Sequence, residues 1–155
     1  MAAFLKEHGA EVDPREDMPR MLWEKFVVIC ATGGVLAVTR LPFGRVFGSR
    51  PATALMRGVM DEVAQIARRR GVPLAEDVED RLMEFLRHNM ADDARSSQLV
   101  DLEQGRPLEL EFLNGAAVRL GRESGVPTPL NWAIYAALEP HVAGSAAVPS
   151  GRPGR

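Results

Sequence analysis

Two adjacent serines, Ser96 and Ser97, stand where a helix is expected to begin, and Asp101 follows in the same short segment. The free backbone N–H groups and the dipole at a helix N-terminus attract an anion such as a carboxylate. Serine is also among the preferred N-cap residues, so the same pair is typical of an ordinary cap. The pair therefore predicts either a binding point for an acidic ligand or a purely structural helix start.

Lys25 is the second residue whose chemistry stands out. Among the 19 Lys and Arg residues of the chain, only Lys6 and Lys25 are lysines. Arginine holds its proton too tightly to donate it, whereas a lysine can stabilise developing negative charge and then give up a proton. The alternative interpretation is a lysine at a helix edge, whose stem covers apolar surface while its ammonium stays in water.

A long helix is predicted to carry Lys25, beginning at Asp17 and Pro19. The pattern places Lys25 away from the centre of an apolar stripe. The stripe consists of Met18, Met21, Leu22, Phe26 and Ile29. Gly33 and Gly34 mark either a bend or a close approach to a neighbour. They lie in an uncharged run, residues 26–39, that is shorter than the roughly 20 residues of a membrane span and is predicted to be a buried helix.

Further helical segments follow, separated by Gly and Pro breaks. Ser49 and Pro51 begin the next helix, which ends at Gly71 after a basic run, residues 68–70, expected to be a solvated helix end. Later helices are predicted from about Ala75, at Ser97, from Glu109 and from Pro129. The residues expected in the core are Val63, Ile66, Phe85 and Leu113. Because no segment alternates with the period of a strand, the predicted fold class is all-α.

The amino-acid composition and charge of the chain argue against several classes of protein. The chain is 46% hydrophobic and 26% charged, which is typical of one globular domain. A net charge of -2 provides no basic face for nucleic acid. The single cysteine, Cys30, lies in an apolar stretch and supports no disulfide framework, and the polar N-terminus is unlike a signal peptide. These features predict a cytoplasmic protein with no membrane span.

Two kinds of site are not expected. His8, His88 and His141 are scattered, without partners at metal-ligand spacing, so no metal site is predicted. The sequence also has no Gly-x-Gly-x-x-Gly turn between a strand and a helix, so this chain is not expected to form a nucleotide-binding fold of its own.

Several short motifs, in order, resemble the C-terminal domain of the ketopantoate reductase family. They are Leu22-Trp23-Glu24-Lys25-Phe26, Ser96-Ser97-Gln98-Leu99-Val100-Asp101-Leu102, Gly105-Arg106-Pro107-Leu108-Glu109-Leu110-Glu111, Leu113-Asn114-Gly115, and Gly125-Val126-Pro127-Thr128-Pro129 with Asn131. The resemblance covers about residues 17–141. It implies a helical domain like those of ketopantoate reductase and 6-phosphogluconate dehydrogenase.

The resemblance also implies roles. Lys25 falls on the family's catalytic lysine and would protonate the alkoxide formed from a ketoacid. Glu109 falls on the active-site acid and would hold or tune the ammonium, and Ser97 falls on the substrate-binding serine. The implied cofactor is NADPH, whose main binding domain lies outside the part of the family that this chain resembles.

Three positions depart from the family pattern. Many members carry asparagines where this chain has Ile29, Gly33 and Ala94. Those amides help to bind the substrate in the family, so their replacement predicts a divergent branch with a more apolar or unknown ketoacid.

The sequence therefore predicts three parts. Residues 1–16 are expected to be the end of a nucleotide-binding domain with a linker, residues 17–142 the helical domain, and residues 143–155 a disordered tail. The first hypothesis is the substrate and proton-donor half of an oxidoreductase, inactive alone, with a separately encoded nucleotide-binding domain or a second copy as partner. Such a half should expose an apolar surface where the nucleotide domain packs. The alternative is a non-catalytic helical module for assembly or binding.

Overall fold

Residues 18–144 are described in a computed structural model, and in this range the chain forms seven α-helices and two 3₁₀ turns, with no strand. The helices are α1 (Met18–Thr39), α2 (Phe43–Phe47), α3 (Arg50–Arg69), α4 (Val78–Asn89), α5 (Ser97–Glu103), α6 (Asn114–Ser124) and α7 (Pro129–Leu138), and the turns are Leu110–Phe112 and Glu139–His141. The all-α prediction is confirmed. The predictions for residues 1–16 and for most of the tail, from residue 145, lie outside the described residues.

Helices α1 and α3 form the centre of the domain and make the most extensive packing in it. Every residue from Ala31 to Ala37 is buried, as is most of the α3 face that contains Val63 and Ile66. The predicted buried helix over residues 26–39 is thus confirmed. By length and composition α1 could cross a membrane, but half of its apolar window is covered by the rest of the domain.

Gly34 explains how α1 can be surrounded so closely. The helix runs unbroken through Gly33 and Gly34, so the two glycines mark a close approach rather than a break. A Cβ on Gly34 would lie 2.8 Å from Ile134 Cγ2 and 2.9 Å from Asn114 Oδ1, distances that real Cβ atoms do not show. Glycine at this position therefore allows α6 and α7 to reach the α1 backbone.

Helix α4 differs from the prediction at its start and on its buried face. It begins at Val78 rather than near Ala75, and Phe85, expected in the core, is 52% exposed. The buried face instead carries Glu79, Met83 and Leu86. These residues share one side of the helix, and Phe85 lies two positions beyond Met83, which turns it to solvent.

An ion pair between α3 and α4 accounts for that orientation. Arg68 donates to both carboxylate oxygens of Glu79, with Nη1–Oε1 and Nη2–Oε2 distances of 2.8 and 3.2 Å. The hydrogen bond to Glu79 raises the pKa of Arg68, and Glu79 itself is only 3% exposed. The basic run is thus a solvated helix end only at Arg69 and Arg70, because Arg68 holds a buried carboxylate.

The long helix predicted from Glu109 is interrupted. A 3₁₀ turn over Leu110–Phe112 is followed by Leu113 with φ −106° and ψ −102°, and α6 begins at Asn114. The break allows the fully buried Leu110 and the fully buried Asn114 to point into the domain together. Leu113, expected in the core, is partly buried and packs against it.

Candidate active site

One face of α1 carries Lys25. Met18, Leu22, Lys25, Ile29 and Gly33 follow one another at spacings of four, three, four and four residues, which places them on one side of a helix. The opposite side, with Val27, Cys30 and Ala31, enters the core. We call the first set the Lys25 face.

The predicted position of Lys25 relative to the apolar stripe was wrong. Met18 and Leu22, predicted to belong to the apolar stripe, are 48% and 59% exposed, and Lys25 is exposed between Leu22 and Ile29. Lys25 therefore lies within an apolar stripe rather than at its edge. The stripe is open at its N-terminal end because the core is built from the other side of the helix.

The two serines at the start of α5 have different roles. The Ser96 hydroxyl accepts a hydrogen bond from the Leu99 backbone N–H at 3.2 Å and caps the helix. Ser97 is the first helical residue and is exposed, and its hydroxyl has no hydrogen-bond partner within residues 18–144. The structure thus uses one serine as the cap and leaves the other available to a ligand.

Glu109 lies immediately before the 3₁₀ turn. It is exposed, and its carboxylate forms neither an ion pair nor a hydrogen bond with any described residue, Lys25 included. Its neighbour in the turn, Phe112, is 77% exposed. Glu109 is therefore a carboxylate without a partner among the described residues, and it lies close in the chain to an exposed apolar side chain.

Gly33 is where these segments meet. A Cβ on Gly33 would lie 3.4 Å from Leu113 Cδ1 and 3.9 Å from both Cβ and Cδ of Gln98. Gln98 follows Ser97, and Leu113 is four residues after Glu109. The segments that carry Ser97 and Glu109 thus border the Lys25 face at its C-terminal end.

Sequence reasoning missed Gln98. Its side chain is almost entirely buried, and neither its Nε2 nor its Oε1 has a hydrogen-bond partner among the residues the structure describes. The signal in the sequence was weak, because a glutamine in the first turn of a helix is usually solvated.

Two asparagines of the motifs have structural roles. The Asn114 side chain donates to the Cys30 carbonyl at 3.2 Å and to Asn131 Oδ1 at 3.0 Å. Asn131 Nδ2 in turn donates to Glu62 Oε2 at 2.7 Å. Glu62 also accepts the backbone N–H groups of Leu130 and Asn131 at 2.8 and 2.9 Å. This buried network ties α1, α3, α6 and α7 together.

Glu111, in the 3₁₀ turn, forms a cluster with Arg119 and the half-buried Tyr135. The Tyr135 hydroxyl donates to Glu111 Oε1, and Arg119 Nη1 lies 3.1 Å from Glu111 Oε2. The hydrogen bond to Glu111 raises the pKa of Tyr135, since the carboxylate favours the protonated phenol.

We expect Glu111→Gln to lower the ionisation midpoint of Tyr135. The chain has one tyrosine, so ultraviolet absorbance of tyrosinate reports on it alone. A raised pKa means that the interaction contributes to stability below the pKa of unfolded tyrosine and is lost as the pH rises through the folded pKa. Glu123→Gln, which removes the partner of Arg70, is the control and should leave the midpoint unchanged. Equal midpoints in all three proteins would contradict the hydrogen bond.

The other candidate sites in the described residues are either separate from the Lys25 face or chemically unreactive. No cluster of three or more His, Cys, Asp or Glu residues suited to a metal occurs within residues 18–144. Burial raises the pKa of the Cys30 thiol, which disfavours its reactive thiolate form. A cavity of about 300 Å³ is lined by Arg40, Arg106 and His141, among others. Arg40 is 15 residues beyond Lys25, about 22 Å along a helix axis, so this cavity is separate from the Lys25 face.

Comparisons with known proteins agree on one family. The model of the family described as "Ketopantoate reductase PanE/ApbA C terminal" matches residues 17–141. A 2-dehydropantoate 2-reductase from Archaeoglobus fulgidus is 32% identical over 131 residues, which are 84% of this chain and 43% of the relative. The crystal structure of a PanE/ApbA family ketopantoate reductase from Ralstonia eutropha JMP134 superimposes with a TM-score of 0.70 at 34% identity, over 78% of this chain and 40% of that one.

A more distant structure shows the same fold. The dimeric ketopantoate reductase from Staphylococcus aureus gives a TM-score of 0.73 at 22% identity and covers 84% of this chain and 44% of that one. The chain thus spans less than half the length of these relatives.

Proposed function

The chain belongs to the ketopantoate reductase family through its C-terminal domain, and from this premise we propose that it forms the substrate and proton-donor side of an NADPH-dependent 2-ketoacid reductase. The observation that carries the proposal is the Lys25 face, on which an exposed lysine lies within an apolar stripe bordered by the segments of Ser97 and Glu109. In this proposal the domain provides half of a cleft, and a nucleotide-binding domain provides the other half.

Lys25 acts as the general acid in the proposed reaction. NADPH, held by the nucleotide-binding domain, would supply a hydride to the carbonyl carbon, and negative charge would then develop on the carbonyl oxygen. The Lys25 ammonium stabilises that charge and then donates its proton to form the hydroxyl group. The apolar surroundings, Leu22 and Ile29, keep water from competing for the alkoxide once the cleft is closed.

Ser97 and Glu109 support this role from the neighbouring segments. The Ser97 hydroxyl, which is not used for capping, is free to hydrogen-bond the substrate. Glu109 orients or tunes the Lys25 ammonium once the cleft is closed, and the two side chains form no ion pair within residues 18–144. Both assignments rest on the family resemblance and on the exposure of these side chains.

The lining of the face favours a small substrate with a largely apolar side chain. Ile29, Gly33 and Leu113 contribute no polar side-chain atoms, and Leu113 lies within contact distance of the Gly33 position. We therefore propose a compact aliphatic 2-ketoacid as the substrate class, and the reducing cytoplasm as the place of action.

Exposed apolar side chains support a partner domain at this cleft. Met18, Leu22 and Phe112 are 48%, 59% and 77% exposed, and Leu22 and Phe112 are three residues from Lys25 and Glu109, respectively. Large exposed apolar residues mark interaction surfaces. The same exposure favours the second candidate function, a non-catalytic assembly module, in which a second copy of the chain covers this surface.

The isolated 155-residue chain should neither bind NADPH tightly nor oxidise it with any ketoacid. Hydride transfer requires the cofactor within about 3.5 Å of the carbon that it attacks, and the sequence lacks the glycine-rich turn that would hold the pyrophosphate. Calorimetry with NADPH and absorbance of NADPH during incubation with 2-ketoacids test this. Fusion behind the nucleotide-binding half of a curated relative should create ketoacid-dependent oxidation. Micromolar binding by the chain alone, or a folded but inactive fusion, would contradict the half-site proposal.

A further inference from the structure

We propose that the cavity at the C-terminal ends of α1 and α5 binds a free amino acid with an apolar side chain. The cavity has a volume of about 300 Å³, and the residues that line it include Arg40, Leu102, Glu103, Arg106, Pro140 and His141. Since it lies at the opposite end of α1 from Lys25, this inference concerns a second site and does not depend on the proposed function.

The backbone of Arg40 is strained. Arg40 follows the last residue of α1 and has a φ of 55°, and it is the one non-glycine residue with a positive φ among residues 18–144. The other residues in this conformation are glycines, with φ between 64° and 80°. The left-handed region strains an L-residue but not glycine. Because strained residues are concentrated at functional sites, the arginine at this position points to a role for its side chain.

The guanidinium of Arg40 is available to a ligand. It is exposed and forms no hydrogen bond or ion pair with any residue from 18 to 144. The other arginine at the cavity, Arg106, is already paired, since its Nε donates to Asp101 Oδ1 at 2.7 Å. A guanidinium binds a carboxylate through two parallel hydrogen bonds. Arg40 therefore provides the cavity with a position for a carboxylate.

Other groups at the cavity favour a positive charge. Three helical segments end there, namely α1, α5 and the turn Glu139–His141 that follows α7. The C-terminal end of a helix carries a partial negative charge. Glu103 adds a carboxylate, whose Oε2 accepts from Arg95 Nη1 at 2.6 Å and whose Oε1 has no partner in the described part of the chain. An ammonium group would be stabilised by the helix ends and by this second oxygen.

A ligand that carries both charges suits this lining best. The helix ends and Glu103 would repel a simple anion, and Arg40 would repel a simple cation. A free amino acid carries a carboxylate and an ammonium on one carbon atom, so each group can face its own partner within a small space. Leu102 and Pro140 add apolar surface for an apolar side chain. The volume lies at the lower end of the range for ligand pockets, about 300 to 1,000 Å³, as a ligand of this size requires.

Three compounds of similar shape test the proposal. They are leucine, 4-methylpentanoate, which lacks the ammonium, and 3-methylbutylamine, which lacks the carboxylate. Each is titrated to high millimolar concentration into the isotope-labelled 155-residue chain while backbone NMR signals are followed. We expect leucine to bind about tenfold more tightly than either analogue, because each analogue lacks one charged hydrogen-bonding group. Leucine should shift the signals of Arg40, Gly105 and Gly144, which line the cavity, and leave those of Lys25 and Ser97 unchanged.

Arg40→Gly is the diagnostic variant, because glycine removes the guanidinium and relieves the left-handed backbone. It should abolish the binding of leucine and of 4-methylpentanoate without lowering the melting temperature. Glu103→Gln should weaken the binding of leucine but not that of 4-methylpentanoate. As the matched control, Arg69→Ala removes an exposed arginine at the end of α3, outside the cavity, and should leave all three affinities unchanged.

Several results would overturn the proposal. A leucine affinity no higher than that of 4-methylpentanoate, binding that survives Arg40→Gly, or no binding of any of the three compounds would each do so. A lower melting temperature of Arg40→Gly also counts against it, since the arginine would then serve stability. If leucine shifts the signals of Lys25 and Ser97 instead, it binds at the Lys25 face and the cavity is not its site. None of these results contradicts the proposed function, which the fusion tests.

Discussion

Lys25→Ala should reduce turnover by about a hundredfold or more in a fusion that restores the nucleotide-binding half, which is the usual contribution of a positioned acid. The physical reason is that the alkoxide formed on the Lys25 face then has neither a cation nor a proton donor beside it. Lys25 forms no hydrogen bond or ion pair within the described residues, so its loss should leave the melting temperature nearly unchanged. Steady-state kinetics of NADPH oxidation, together with thermal unfolding, measure both effects.

Lys25→Arg separates charge from proton donation. Arginine keeps a cation on the face but remains protonated throughout the accessible pH range. We expect this variant to lose almost as much turnover as Lys25→Ala. Full activity of the arginine variant would mean that the lysine acts only through its charge, and a small effect of both changes would remove Lys25 from the catalytic machinery.

The adjacent serines supply a matched pair in the same fusion. Ser97→Ala should mainly raise KM, because the free hydroxyl is proposed to bind the substrate in its ground state. Ser96→Ala removes the cap on the Leu99 N–H and should lower stability by about 1 kcal/mol with little change in KM. The reverse pattern would show that the two serines have exchanged roles.

Local signals in the sequence were sufficient for part of the fold. Ser49 caps α3 by accepting the Ala52 N–H at 3.5 Å, and Gly71 adopts a left-handed φ of 80° just after the helix, as a serine followed by a proline and a later glycine predict. The uncharged run of α1 is buried for the equally local reason that it is apolar on all sides.

Elements that depend on distant contacts were not predicted. Helix α2 is held by hydrogen bonds from the Phe43 and Gly44 N–H groups to the carbonyls of Ala94 and Asp92, about fifty residues away. The break after Glu109 likewise follows from the burial of Leu110 and Asn114 against other helices. Propensity and periodicity carry no information on such partners, so tertiary packing overrides them.

The roles of the three candidate site residues stay predictions, and the surroundings of Lys25 differ from those expected. The resemblance identified Lys25, Ser97 and Glu109, whose exposure fits the proposed roles. The prediction that Lys25 lies off the centre of the apolar stripe was wrong, because spacings of three and four residues place it on the same face as Leu22 and Ile29. Gln98 could not be found from sequence, since its unpaired amide appears only when α5 is packed against Gly33.

Glu62→Ala should destabilise the domain by about 3 kcal/mol, which corresponds to a fall in melting temperature of about 10 °C. Helix α7 has no side-chain cap of its own at Thr128. Glu62 on α3 supplies one by accepting the N–H groups of Leu130 and Asn131 and the Asn131 amide. Alanine would leave the two backbone N–H groups without an acceptor at a buried helix N-terminus, where the dipole also favours a carboxylate, whereas the Asn131 amide would keep the Val59 carbonyl at 3.5 Å.

Two further variants test whether the loss of stability in Glu62→Ala comes from the missing carboxylate. Glu62→Gln retains one acceptor oxygen but turns an NH₂ group toward the remaining donors, so its melting temperature should lie between those of the native chain and Glu62→Ala. Asp61→Ala removes the neighbouring carboxylate, which accepts a hydrogen bond from the exposed Gln65 side chain, and should change stability by no more than about 0.5 kcal/mol. If Glu62→Ala and Asp61→Ala have the same melting temperature, the cap that Glu62 provides contributes nothing to stability. The position of α7 against α3 would then be set by apolar packing around Ile134 and Leu138.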